Sequence, residues 1–310
     1  PIILALSPSI WEVLNQGILE EVNTYTYRTA HYMLSTAQDY HAGIANNQAQ
    51  TFQATLSENA VVFCQHPAKL AIDDGSTPPT NYNWKKDEPG PGYWTGDGAR
   101  PRGGQYKNVG IYIYAPLFDP NPSLFPYPYL QETHAYFPEA HFDEVVQKEA
   151  NGNKWTFGRK DDSYVGLYSY LKTEWRTSQP EAYKNEGKHF DLVAGGSARN
   201  VWMVELGSVD EYTDFATFCN AIVNSEVSIQ PTAAGFDVKY ASPSQGQVSF
   251  GSGDTPLQVN GEKVVISDYK RFDNPFVQAE FNEKRYEILN GDEKLILDFD
   301  SIARVATPEP

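Results

Sequence analysis

The sequence predicts a mainly β protein, a large antiparallel β-sandwich or super-sandwich with one internal helix and a short N-terminal helix. Three observations carry this expectation. Short segments rich in Val, Ile, Tyr, Phe and Thr recur along most of the chain. Two segments are broken by Asn260-Gly261 and Asn290-Gly291, where a tight hairpin turn needs positive φ. Only one internal stretch, 210–224, carries helical spacing, with Tyr212, Phe215, Phe218 and Ile222 three and four apart.

Taken in order, residues 1–20 read as a short helix, either the helical end of an upstream domain or a plain N-terminal helix. Ser9 is placed to cap a helix that aligns Ile10, Trp11, Leu14, Ile18 and Leu19. Residues 21–305 form the sandwich domain, with a weak internal boundary near 226, and 306–310 form a frayed tail. Strands are expected over 22–29, 51–56, 60–65 and 109–115. Residues 73–104 form a long polar insert and 116–130 a proline-rich loop. Residues 141–148 read as a weak strand or one helical turn. Strands follow over 154–158, 164–170 and 200–206, and a β-meander begins at 227.

Composition narrows the function. With 24 Lys plus Arg against 40 Asp plus Glu, the net charge is −16. That disfavours general nucleic-acid binding, which rests on neutralising phosphates. No run of apolar residues is long enough to span a membrane. The 20 Tyr, 16 Phe and 6 Trp exclude a disordered solvating chain. Two cysteines, Cys64 and Cys219, exclude a disulfide framework and a four-thiolate zinc site.

Two segments concentrate chemistry. In 133–144, His134 and His141 stand with Tyr136, Glu139, Asp143 and Glu144. If 133–137 is extended, His134 and Tyr136 share a face, setting an imidazole beside a phenol, both suited to proton transfer. The alternative is a solvated surface loop. A divalent metal held by His134, His141, Asp143 or Glu144 is a minority alternative; the spacing matches no zinc motif, and no cofactor is predicted. The second segment, 90–107, combines Tyr93, Trp94 and Tyr106 with Arg100, Arg102 and Lys107. Aromatic faces stack on sugars and guanidinium forks grip carboxylates. The alternative is a loop that packs its own aromatics and pairs its arginines with Asp73, Asp74 or Asp97. His66, at a strand exit, is a further candidate, whereas Cys64 reads as buried and inert.

Several runs together suggest a family. They are Tyr25-Thr-Tyr-Arg-Thr, Ser35-Thr-Ala-Gln-Asp-Tyr, Gly92-Tyr-Trp-Thr-Gly-Asp-Gly, Thr133-His-Ala-Tyr-Phe-Pro, Ala198-Arg-Asn-Val-Trp-Met-Val-Glu-Leu-Gly and Arg271-Phe-Asp-Asn-Pro-Phe. Over roughly residues 20–300 the chain resembles the C-terminal β-sandwich part of secreted microbial and fungal proteins. These are distantly similar to heparinase II/III-like polysaccharide lyases, which join an α/α toroid to a β-super-sandwich. The resemblance implies secretion, a polysaccharide or oligosaccharide substrate and β-elimination. It implies His134, Tyr136 and then His66 as catalytic, Arg102 as carboxylate binder, and an upstream toroid or second chain completing the cleft.

Two other readings stand beside it. A non-catalytic carbohydrate-binding or structural sandwich would use Tyr93, Trp94 and Tyr106 as a sugar platform flanked by Arg100 and Lys107. A glycoside hydrolase would use two carboxylates among Asp97, Asp161, Asp162 and Glu205.

Overall fold

A computed structural model describes residues 22–45, 50–68, 92–94, 96–116, 130–176 and 189–300, with the backbone of 305–309. The expected N-terminal helix, most of the polar insert and most of the proline-rich loop lie outside these residues. The chain divides into two compact units, one running to Val264 and one beginning at Val265.

In the first unit the chain forms β1 (Asn23–Arg28), β2 (Met33–Gln38), β3 (Phe52–Thr55), β4 (Val61–Gln65), β5 (Arg102–Tyr106), β6 (Val109–Tyr114) and β7 (Glu132–Tyr136). Next come β8 (Glu144–Ala150), β9 (Asn153–Lys160), β10 (Ser163–Ser169), β11 (Thr173–Trp175), β12 (Asp191–Gly195) and β13 (Asn200–Ser208). These pair into a 7-stranded sheet, β1-β2-β3-β4-β7-β12-β11, and a 6-stranded sheet, β5-β6-β13-β10-β9-β8. The pairings are antiparallel, as between β4 and β7 and between β6 and β13.

Alternation along each strand builds the core between the two sheets. Leu34, Val62, Cys64, Ala135 and Leu192 of the first sheet meet Tyr112, Val165, Leu167, Trp202 and Val204 of the second. Burying each large side chain contributes roughly 2–3 kcal/mol, and the close packing fixes one arrangement. A polar tie crosses this core. The Trp202 indole N–H donates to Thr133 Oγ1 at 2.8 Å, and Asn200 Nδ2 donates to the same hydroxyl at 2.8 Å.

After β13 comes the helix α1 (Phe215–Val223), capped by the Asp214 side chain, which accepts from the Thr217 N–H. It is shorter than the spacing suggests, because 210–214 form the turn that carries the cap. Phe218 and Ile222 are buried. A 5-stranded sheet closes the unit: β14 (Val227–Pro231), β15 (Phe236–Ser242), β16 (Gly246–Gly251), β17 (Gln258–Val259) and β18 (Glu262–Lys263). It is tied to the second sheet through Glu205, which accepts from Tyr240 Oη at 2.6 Å and Ser244 Oγ at 2.7 Å. That tie is why no boundary falls near residue 226; the division lies at 264/265.

The second unit is a 5-stranded meander of β19 (Phe272–Asp273), β20 (Val277–Ala279), β21 (Arg285–Asn290), β22 (Glu293–Asp298) and β23 (Val305–Glu309). The backbone of 305–309 thus forms a strand where a frayed tail is expected. Of the two Asn-Gly turns, Asn260-Gly261 has positive φ at both residues, 53° and 86°. In the other, Asn290 pairs with Glu293, so the turn is Gly291-Asp292, one residue later than expected. Among the described residues no helix is long and apolar enough to cross a membrane.

Candidate functional site

The face of the first sheet that points away from the core carries the site. On β7, Thr133 and Ala135 face the core, so Glu132, His134 and Tyr136 face outward. On β4 the same alternation turns Phe63 and Gln65 outward, and on β12 it turns Asp191 and Val193. Tyr93, Trp94 and Phe190 pack with Phe63 into a second buried cluster, with Leu130 and Tyr136 against it.

His134 is fully buried. Its Nδ1 lies 3.0 Å from Asp191 Oδ1. Asp191 also accepts from Tyr93 Oη and lies 3.4 Å from Arg176 Nε. Arg176 donates to Glu132 Oε1 at 2.6 Å and its guanidinium lies over the Tyr93 ring at 5.4 Å. A carboxylate accepts from Nδ1, so in the neutral imidazole the proton sits on Nδ1 and Nε2 keeps its lone pair. Among the described residues Nε2 has no hydrogen-bond partner. The Trp94 ring lies against the imidazole, with centroids 4.0 Å apart. Tyr136 is half-buried and stacks on Phe63 at 5.1 Å. Burial raises the pKa of its phenol, so at neutral pH it is a proton donor.

Tyr93, Trp94, His134 and Tyr136 therefore come together, while the other candidates stand apart. Arg102 grips Asp39 with its fork, Nε–Oδ1 at 2.9 Å and Nη2–Oδ2 at 3.1 Å. Its Nη1 donates to the carbonyls of Gly251 and Thr255. All its nitrogens are engaged within the protein, which corrects its reading as a substrate-carboxylate binder. Arg100 is buried, with Nε donating to the His41 carbonyl at 3.3 Å and its guanidinium over Tyr40. Tyr106 and Lys107 sit at the β5–β6 hairpin, the ammonium 5.4 Å from the phenol ring centroid. These positions dissolve the expected platform: Tyr93 and Trp94 face inward at 5% and 6% exposure, and Tyr106 is on another sheet.

His66 is buried at the end of β4, its Nε2 3.0 Å from the Leu130 carbonyl oxygen and its N–H donating to Asp97 Oδ1. Desolvation lowers its pKa to about 4. Desolvation likewise raises the Asp97 carboxyl to about 8. Glu205 is caged by hydroxyls, and Asp161 and Asp162 are exposed in the β9–β10 turn, so no hydrolytic carboxylate pair is formed from them. Asp143 is paired with Lys160 at 3.0 Å, and no group of three or more His, Cys, Asp or Glu among the described residues is gathered to hold a metal. Cys64 and Cys219 are buried free thiols.

Sequence reading missed Asp191 and Arg176. Asp191 had a signal: it is a lone carboxylate in the apolar run Phe190-Asp-Leu-Val-Ala, and a charge in a strand buried on both faces needs a partner. The fold and site define an antiparallel β-sandwich with a buried acid–imidazole pair on its outer face. Comparison with known protein families, characterised proteins and solved structures finds no match to this chain.

Proposed function

We propose that this chain is the β-sandwich part of a secreted polysaccharide lyase that cleaves a uronate-containing polymer by β-elimination. The observation that supports it is the His134–Asp191 pair, which directs the Nδ1 proton to the carboxylate and leaves Nε2 as a base. Nε2 removes the proton next to the sugar carboxylate, the bond to the leaving oxygen breaks, and the Tyr136 phenol protonates that oxygen. The products are an unsaturated uronate and a new chain end. Arg176, rather than Arg102, is the cation of this face. An upstream α/α toroid or a second chain supplies the rest of the cleft.

The test incubates the protein with a panel of uronate polymers and neutral glycans, following ultraviolet absorbance of unsaturated uronate beside reducing ends. Lyase activity that is lost in Tyr136→Phe and His134→Gln, both folded, is the expected result. Reducing ends without unsaturation would replace elimination with hydrolysis.

The complete burial of His134 beneath Trp94 favours a second reading, a non-catalytic carbohydrate-binding or structural module in which this cluster is packing. Oligosaccharide binding without product, unchanged in His134→Gln, would select it.

A further inference from the structure

The hydrogen-bonding atoms around His134 do not balance. Gln65 and His134 are direct cross-strand partners on β4 and β7, both facing outward. Such partners hold their side chains within contact distance. Trp94 lies on the same imidazole. His134 and Gln65 are fully buried and Trp94 is 6% exposed. Yet His134 Nε2, Gln65 Oε1, Gln65 Nε2 and Trp94 Nε1 have no hydrogen-bond partner among the described residues. Buried polar atoms are nearly always satisfied, and these belong to His134 and the two side chains that adjoin it.

Their chemistry specifies what would satisfy them. In the neutral imidazole with its Nδ1 proton directed at Asp191, Nε2 accepts. The amide of Gln65 accepts through Oε1 and donates through Nε2, and the Trp94 indole N–H donates. A carboxylate or phosphate offers no proton to Nε2 or Oε1 and adds negative charge beside Asp191 and Glu132. An ammonium offers no acceptor to the indole or the amide N–H. A hydroxyl-type oxygen both donates and accepts, and matches the set.

We infer that Gln65, His134 and Trp94 form a buried binding site for a hydroxyl-type oxygen, supplied by a bound water or by a hydroxyl of a sugar. The oxygen donates to Nε2 or Oε1 and accepts from the indole N–H or the amide. The water source stands on these side chains alone; the sugar source rests on the proposed function. Gln65 is then a positioning residue, because it fixes the oxygen that touches Nε2.

The test is solution NMR of the isotope-labelled full chain. The Trp94 indole proton is assigned by its loss in Trp94→Phe, and its cross-relaxation with water is recorded. The spectra are repeated with methyl β-D-glucuronide and methyl α-D-mannopyranoside. A cross-peak to long-lived water establishes the water source. A saturable shift of the Trp94 and His134 signals, with loss of that cross-peak, establishes the sugar source. In Gln65→Met the cross-peak disappears and the His134 Nε2 signal moves. An indole proton that sees neither water nor glycoside in the wild-type chain overturns the inference, whether or not Gln65→Met folds. A water cross-peak in a protein without turnover would retain the site and remove the lyase reading; turnover without either signal would do the reverse.

Discussion

Asp191 is the cross-strand partner of Tyr136, yet its carboxylate reaches diagonally to Nδ1 of His134, at 3.0 Å. One residue on β12 thus faces the phenol in register and orients the imidazole two positions away. Asp191→Asn keeps the shape and removes the charge that Tyr93, Arg176 and His134 share. We expect a loss of about 3 kcal/mol, as for one partner removed from a buried ionic network, read by urea unfolding. The Nδ1-protonated tautomer of His134 should also lose its dominance, read from the imidazole nitrogen shifts. An unchanged tautomer would show that Asp191 does not orient the ring.

Tyr93→Phe removes only the hydroxyl that donates to Asp191. The expected cost is about 1–2 kcal/mol, with the ring packing against Trp94 retained. Equal stability of variant and wild type would mean that solvent replaces the phenol.

Trp94→Ala empties the centre of the cluster formed with Phe63, Tyr136, Phe190 and His134. A cost of about 3–5 kcal/mol is expected. A surface sugar platform would instead lose affinity with little change in stability, so thermal unfolding separates the two.

Arg102→Lys keeps the charge and loses the fork on Asp39. Stability should fall by about 1–2 kcal/mol while any turnover stays at the wild-type level. A selective loss of turnover would return Arg102 to the substrate.

Two buried groups joined at the end of β4 give a pH signature. The Asp97 carboxyl is raised from 3.8 to about 8, so the unfolded chain releases that proton first and stability falls as pH rises between those values. The His66 imidazole is lowered from 6.5 to about 4, so its stability is present above 6.5 and lost as pH falls to about 4. Between about 4 and about 6.5 the slopes oppose; from there to about 8 only the Asp97 decline remains. Asp97→Asn, which retains an acceptor for the His66 N–H, should abolish that decline. Parallel stability curves for wild type and variant over the neutral range would refute the Asp97 shift.

Much of the architecture is written locally. Alternation in 22–29, the β-forming runs 60–65 and 109–115 and the Asn260-Gly261 turn depend on neighbours in sequence, and the strands lie where those patterns put them. The shared face of His134 and Tyr136 follows from the same period of two. What escaped is what long-range pairing decides. β5 begins inside the expected insert because Gly103 and Gly104 carry no strand signal, and only pairing with β6 extends them. Arg102 promised a ligand by its type, but Asp39 and the carbonyls of Gly251 and Thr255 come from segments distant in sequence. The Asp191 partnership bridges 57 residues.

The interleaved order of the sheets sets a timetable for synthesis. β13 lies between β6 and β10, although it leaves the ribosome after both. A nascent chain that ends before Asn200 therefore carries two open edges, on β6 and on β10, each offering unpaired backbone groups to other chains. Until that strand emerges both edges stay unpaired, and a chain terminated in this interval is expected to aggregate rather than form a smaller stable protein.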